Sequence, residues 1–388
     1  MATIKADAKI AIVGSGLIGQ FWAMIFAAGE YRVTIFDIYP EQVTKALENI
    51  KATLSRYESE GCLRGNSSAA DQAALVTGCN DLGECLKGAS YVQECVPESV
   101  ELKQKVFEQM DPFITEEMVV ATSSSCICVS QFVGNLKHKH RTLVAHPVNP
   151  PYFIPLVEIV PGPWTPVEVT AKARALLEQV GQSPVTLSRE VAGFALNRIQ
   201  YSIINECWNM YKDGLLTAED IDRVMTDGLG PRYAFIGPLE TMHLNADGIV
   251  DYCKRYAQGA YNVCSTFKPP PILYDVPTAE QMLQEIQKTI PVEKVPERRR
   301  WRDERLSALA ALKKRIVDYC KRYAQGAYNV CSTFKPPPIL YDVPTAEQML
   351  QEIQKTIPVE KVPERRRWRD ERLSALAALK KSMKEKTE

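Results

Sequence analysis

The sequence predicts an α/β domain built on a parallel sheet, followed by an all-α domain. Three observations carry that reading. Short apolar runs alternate with helical periodicity through the first half, a glycine-rich turn joins the first run to the first helix, and strand-like runs vanish after about Val191.

Ile10-Ala11-Ile12-Val13 is an uninterrupted apolar run, as expected of a buried strand. A helix follows from about Leu17 to Ala28. Val33-Thr34-Ile35-Phe36 is the next strand, and a long polar helix runs from about Glu41 past Leu54. Residues 91–95, 118–121 and 142–145 supply later strands, so the expectation is a parallel sheet with helices on both faces. From about Val191, helical periodicity takes over through residues 197–212 and 218–225. An amphipathic stretch, a break at Pro269-Pro270-Pro271 and a basic helix around Trp301 complete this part. In that helix Leu306, Leu309 and Leu312 fall near one face, which reads as a packing helix with a solvated Arg/Lys side.

Residues 249–314 then recur residue for residue as 316–381, separated only by Arg315. The period, 316 − 249 = 67, is longer than the ~20–50 residues of solenoid units, and the copies show no divergence. A recent exon-scale duplication, or an error in assembling the gene, explains this better than a selected array. The expected organisation is a dinucleotide domain over 1–190, a helical domain over 191–315 and a duplicated segment over 316–388. The first copy continues directly from Gly248. Seating the second in its place would loop out the first at a cost of about 3–4 kcal/mol. The first copy is therefore expected in the native position, with Trp368, Leu373 and Leu376 less buried than Trp301, Leu306 and Leu309.

Lys+Arg and Asp+Glu are both 47 in 388 residues, so the formal net charge is zero. A nucleic-acid partner would need a basic surplus to displace counterions, and none is expected. No apolar run approaches the ~18 residues of a membrane span. The eleven cysteines are odd in number and scattered without a CxxC pair; Cys126 and Cys128 read as alternate faces of a short segment. The first strand begins too close to Met1 to leave room for a leader, and Lys386-Thr387-Glu388 is not a peroxisomal address. Reduced thiols and a cytoplasmic location are expected.

Gly14-Ser15-Gly16-Leu17-Ile18-Gly19 fits G-x-G-x-x-G in its proper context: it follows a strand, opens a helix and precedes a second strand ending at Asp37. Gly14 permits the tight turn, Gly16 lets backbone approach a pyrophosphate, and Gly19 lets helix and sheet pack closely. The Leu17 and Ile18 amides lie at a helix N-terminus, where phosphate binds. Asp37, 18 residues after Gly19, suits the ribose hydroxyls and repels the extra phosphate of NADP, so the expected cofactor is NAD in a Rossmann-type domain.

His146 ends a later strand, and Glu158 interrupts the apolar run Leu156-Val157-Glu158-Ile159-Val160. A buried carboxylate needs a partner. The turn between the runs can fold Glu158 onto His146, fixing the imidazole tautomer of a general base. Taken singly, the histidine reads equally as a satisfied core residue and the glutamate as the wet face of an edge strand. Ser123-Ser124-Ser125 follows another strand at the edge where such sheets bind ligands. Asn197 opens the helical part. Arg232 and Tyr233 lie in Leu229-Gly230-Pro231-Arg232-Tyr233, expected as a loop, where a guanidinium would suit a substrate carboxylate.

GSGLIG, Asp37, VPE with Lys103 downstream, AHPVNPPYFIPLVEIV and VAGFALNRIQ together resemble the L-3-hydroxyacyl-CoA dehydrogenase superfamily over residues 9–314. HPVNPPY, GFALNRIQYSIINE and RYAFIGPLETMHLNADG resemble the branch of it that oxidises the 3-hydroxyl of L-gulonate. The resemblance implies His146 as base held by Glu158, Asn197 and Ser125 hydrogen-bonding the reacting oxygen or substrate, and Glu98 and Lys103 contacting NAD. It also implies a small-molecule sugar-acid substrate and a homodimer. The second repeat copy is a departure from the family and puts the C-terminal packing and subunit contact in question. The competing readings are a 3-hydroxyacyl-CoA dehydrogenase using the same dyad and a structural lens-type protein. No metal is implied.

Overall fold

The computed structural model describes residues 4, 8–268, 274–288, 291–323 and 376. The chain divides into two compact units, residues 1–202 with 302–310 and residues 203–301 with 311–388.

The first unit is an eight-stranded sheet. Its strands are β1 (Lys9–Val13), β2 (Arg32–Phe36), β3 (Val76–Cys79), β4 (Ala89–Glu94), β5 (Val119–Thr122), β6 (Thr142–Pro147), β7 (Leu156–Pro161) and β8 (Ser183–Thr186), in the order β3-β2-β1-β4-β5-β6-β7-β8. The order reverses between β1 and β4, the switch point where such sheets take ligands. Six helices join the strands: α1 (Leu17–Ala28), α2 (Pro40–Ser59), α3 (Ala69–Ala74), α4 (Leu82–Leu86), α5 (Val100–Met110) and α6 (Val167–Gln179). The pleat of β1 explains its unbroken apolar run. Ile10 and Ile12 enter one core with Trp22 and Phe26 of α1, whereas Ala11 and Val13 enter a second with Phe107 and Met110 of α5.

Three sequence expectations need correction. The sheet is not wholly parallel, because β6 and β7 run antiparallel. The segment between them, Val148 to Pro155, is too short for a helical crossover and turns back through a cis Asn149–Pro150 bond instead. Strands β3 and β8 were not expected. Gly78 and Pro184 weaken their patterns, and both are edge strands, where such residues are tolerated. Finally, Arg232 does not sit in a loop. A π-helical stretch over Val224–Leu229 continues into a helical turn at Gly230–Tyr233.

The second unit is helical. Helix α7 (Leu196–Lys212) runs into it, and α8 (Ala218–Arg223), α9 (Gly230–Tyr233), α10 (Pro238–Leu244), α11 (Ile249–Cys264) and α12 (Val276–Ile286) follow. The first repeat copy is fastened to the helices before it. Glu285 accepts from the Tyr211 hydroxyl at 3.1 Å and the Ala218 amide at 3.0 Å, and Asp275 pairs with Lys212 at 2.7 Å.

Helix α13 (Val295–Tyr323) runs straight through the repeat junction. In the first copy Gly248, at φ +103°, breaks the chain before Ile249. Arg315 stands at the equivalent place between the copies, and an L-residue there continues the helix. Trp368 and Leu373 lie outside the described residues. Leu376 is buried, whereas Leu309 is only half-buried, which runs against the expectation for this pair.

Candidate active site

Helix α1 begins at Leu17 with Gly16 as N-cap and no side-chain cap, so its first amides are left for an anion. Gly14 lies at φ +103°, and a Cβ there would meet the Cys95 backbone at 2.9 Å. A Cβ on Gly19 would collide with the Gly14 carbonyl oxygen, whereas one on Gly16 would meet nothing within 4 Å. The first and third glycines are thus required by packing, and the second faces open space, as a pyrophosphate needs. Asp37 follows β2. Its Oδ2 accepts from the Ser15 amide and hydroxyl, both at 2.8 Å, which ties the acid to the glycine turn. Sequence reasoning passed over Ser15. These residues fit a dinucleotide with a free ribose diol.

The antiparallel register places His146 directly opposite Glu158. His146 Nδ1 lies 2.8 Å from Glu158 Oε2, with the histidine 5% and the glutamate 0% exposed. The other carboxylate oxygen, Oε1, accepts from the Ala195 and Leu196 amides, both at 2.8 Å. Glu158 therefore joins the histidine to the start of α7, whose free N-terminal amides favour a negative charge. Gly193 at φ +72° and Phe194 at φ +51° bend the chain into that helix, and the Phe194 ring packs 5.7 Å from the imidazole.

Asn197 is thereby held near the dyad. Its Nδ2 donates to the Ser125 carbonyl at 2.8 Å and approaches Cys126 Sγ at 3.5 Å. The serines have separate surroundings. Ser123 accepts from Gln93 at 2.8 Å and Trp22 at 3.2 Å, while Ser124 is buried and donates to Glu98 Oε1 at 2.7 Å. Ser125 is exposed, with its amide on Glu98 at 2.9 Å. Burial pushes the Glu98 carboxyl up, but hydrogen bonds from Ser124, Cys126 and Ser125 and the nearby Lys103 outweigh it, holding Glu98 below the usual range.

Lys103 is 1% exposed and forms an ion pair with Glu94, which is fully buried. Glu94 is the residue that sequence reasoning missed. It closes a mixed polar run, Tyr91-Val92-Gln93-Glu94, and its only signal was a carboxylate inside a strand covered on both faces. Arg232 belongs to the second unit and is exposed. Among the described residues, no group of His, Cys, Asp and Glu is arranged to hold a metal, no helix is long and apolar enough to cross a membrane, and cysteines 62 to 264 are free thiols.

Residues 9–191 match the model for the NAD-binding domain of 3-hydroxyacyl-CoA dehydrogenase, and residues 193–285 match its C-terminal domain. The lambda-crystallin homolog of Bos taurus is 48% identical over 314 residues, 80% of this chain and 98% of its own length. An L-carnitine dehydrogenase of Oceanobacillus iheyensis is 34% identical, covering 61% of this chain and 75% of that one. A solved 5-formyl-3-hydroxy-2-methylpyridine 4-carboxylic acid 5-dehydrogenase shares the fold at a TM-score of 0.66 and 23% identity, over 79% of this chain and 98% of that one.

Proposed function

The chain belongs to the 3-hydroxyacyl-CoA dehydrogenase family, and on that premise we propose that it oxidises the 3-hydroxyl of L-gulonate to 3-dehydro-L-gulonate with NAD. The observation that carries the alcohol-oxidising chemistry is the His146–Glu158 pair, buried and joined to the helix that carries Asn197, and the choice of L-gulonate rests on the likeness to the lambda-crystallin homolog.

NAD, when bound, supplies the hydride acceptor. The Leu17 and Ile18 amides would hold its pyrophosphate, Asp37 its ribose and Glu98 its nicotinamide end; Lys103, expected there too, is 1% exposed with its ammonium on Glu94, Val96 and Thr122, and reaches that end only through Glu98. Glu158 accepts the Nδ1 proton of His146 and so fixes the tautomer with a free lone pair on Nε2. That nitrogen takes the proton of the substrate hydroxyl as the carbon is oxidised. Glu158 then faces the imidazolium and stabilises it. Asn197, set by the Ser125 carbonyl, and the exposed Ser125 hydroxyl orient the substrate oxygen. Arg232 binds the sugar-acid carboxylate as a fork. In this reading the enzyme is a cytoplasmic homodimer.

The test is NADH formation with L-gulonate, L-carnitine and 3-hydroxybutyryl-CoA assayed side by side. The highest kcat/KM is expected for L-gulonate. A higher value for the CoA ester or for carnitine assigns the dyad to that substrate instead. Arg232→Ala is expected to raise KM for L-gulonate with little change in kcat. An unchanged KM removes Arg232 from the site.

A further inference from the structure

Glu94 and Lys103 form a buried ion pair beneath the switch point of the sheet. Lys103 Nζ donates to both Glu94 oxygens at 3.0 Å, to the Val96 carbonyl at 3.3 Å and to Thr122 Oγ1 at 3.4 Å. Glu94 also accepts from the Thr122 hydroxyl and the Val96 amide, both at 2.5 Å. On its outer side the same ammonium lies 3.8 Å from Glu98 Oε2, whose side chain is 38% exposed. The other oxygen of Glu98 gathers Ser124 Oγ and the Ser125 and Cys126 amides, and the Ser125 carbonyl receives Asn197. One unbroken series of contacts thus runs from Glu94 to the turn beside the dyad.

We propose that Glu94 is a positioning residue of the cofactor site, acting through Lys103 to fix Glu98 and the 124–126 turn. A buried ammonium with one carboxylate partner removed is strongly destabilised. It either gives up its proton or draws Glu98 inward, and drawing Glu98 inward strips the serine turn of its acceptor. Both responses disturb the carboxyl ends of β4 and β5, of which β4 borders the switch point where such sheets take a dinucleotide. The groups that titrate around Lys103 are Glu94, Glu98 and Cys95, whose thiol is pushed up to about 12 by burial.

The experiment titrates the full-length Glu94→Gln protein with NADH by fluorescence across pH, beside thermal melting of the ligand-free protein. NADH binding is expected to weaken about tenfold or more at neutral pH. It should weaken further as pH rises, because Lys103 loses its proton without Glu94, while wild-type binding stays flat over that range. The double variant Glu94→Gln/Lys103→Met buries no charge. It is expected to melt like wild type but bind NADH as weakly as the single variant. Wild-type NADH affinity with a flat pH profile in Glu94→Gln overturns the proposal, as does recovery of wild-type binding in the double variant. Should the single variant fail to fold, the double variant decides alone: weakened NADH binding at a wild-type melting temperature supports the proposal, and wild-type binding overturns it. The readout is NADH binding alone, so it stands apart from the identity of the hydroxy acid.

Discussion

At the scale of single residues, both oxygens of Glu158 are engaged, one by the imidazole and one by the backbone of α7. His146→Ala is expected to lower kcat by about 10²–10⁴, the range of a lost general base, measured by steady-state NADH formation. Asp37→Ala is expected to weaken NAD and narrow its preference over NADP, read from kcat/KM with each cofactor. Acid stability follows from Glu98. Its folded pKa is depressed, so its contribution is present above the unfolded value of about 4.3 and is lost as pH falls through the folded one. Glu94 is shifted up by burial, the opposite sense, and does not share this acid loss. Melting temperature should therefore fall less steeply below about pH 4 in Glu98→Gln than in wild type. The glycine turn, Asp37 and the dyad were legible because each pairs an unusual residue with a strand end. Ser15 and Glu94 were not, since a serine in a turn and an acid at a strand end acquire meaning only from partners distant in sequence.

At the scale of elements, the turn between β6 and β7 decides the site. A crossover helix in its place would have made the pair parallel and removed the register that sets His146 against Glu158. The tight packing at the other end of the site is equally testable. Gly19→Ala puts a Cβ into the Gly14 carbonyl, so it is expected to lower the melting temperature and weaken NADH binding together. A variant that melts and binds like wild type would mean that α1 moves aside freely. The strong periodic elements were readable from pattern alone. The edge strands β3 and β8 were hidden by Gly78 and Pro184, whereas the fold-back of β7 onto β6 was legible in the turn that brings Glu158 to His146.

At the scale of the whole molecule, the domain order was legible in the sequence, but the consequences of duplication were less so. The family match reaches into the first copy as far as residue 285, and Glu285 and Asp275 fasten that copy to α7 and α8. A chain ending at Lys314 is accordingly expected to retain kcat/KM. Loss of activity there would assign the working copy to the second repeat. The burial of Leu376 predicts a lower melting temperature for the shortened chain even with activity intact. The helix across the junction alters what the duplication means. Gly248 works as a full stop in the backbone, and Arg315 stands where the second stop would fall. Two sentences are thereby run together: a boundary that is sharp in the sequence has no counterpart in the fold, and a cut at residue 315 would sever a helix in mid-phrase rather than release a module.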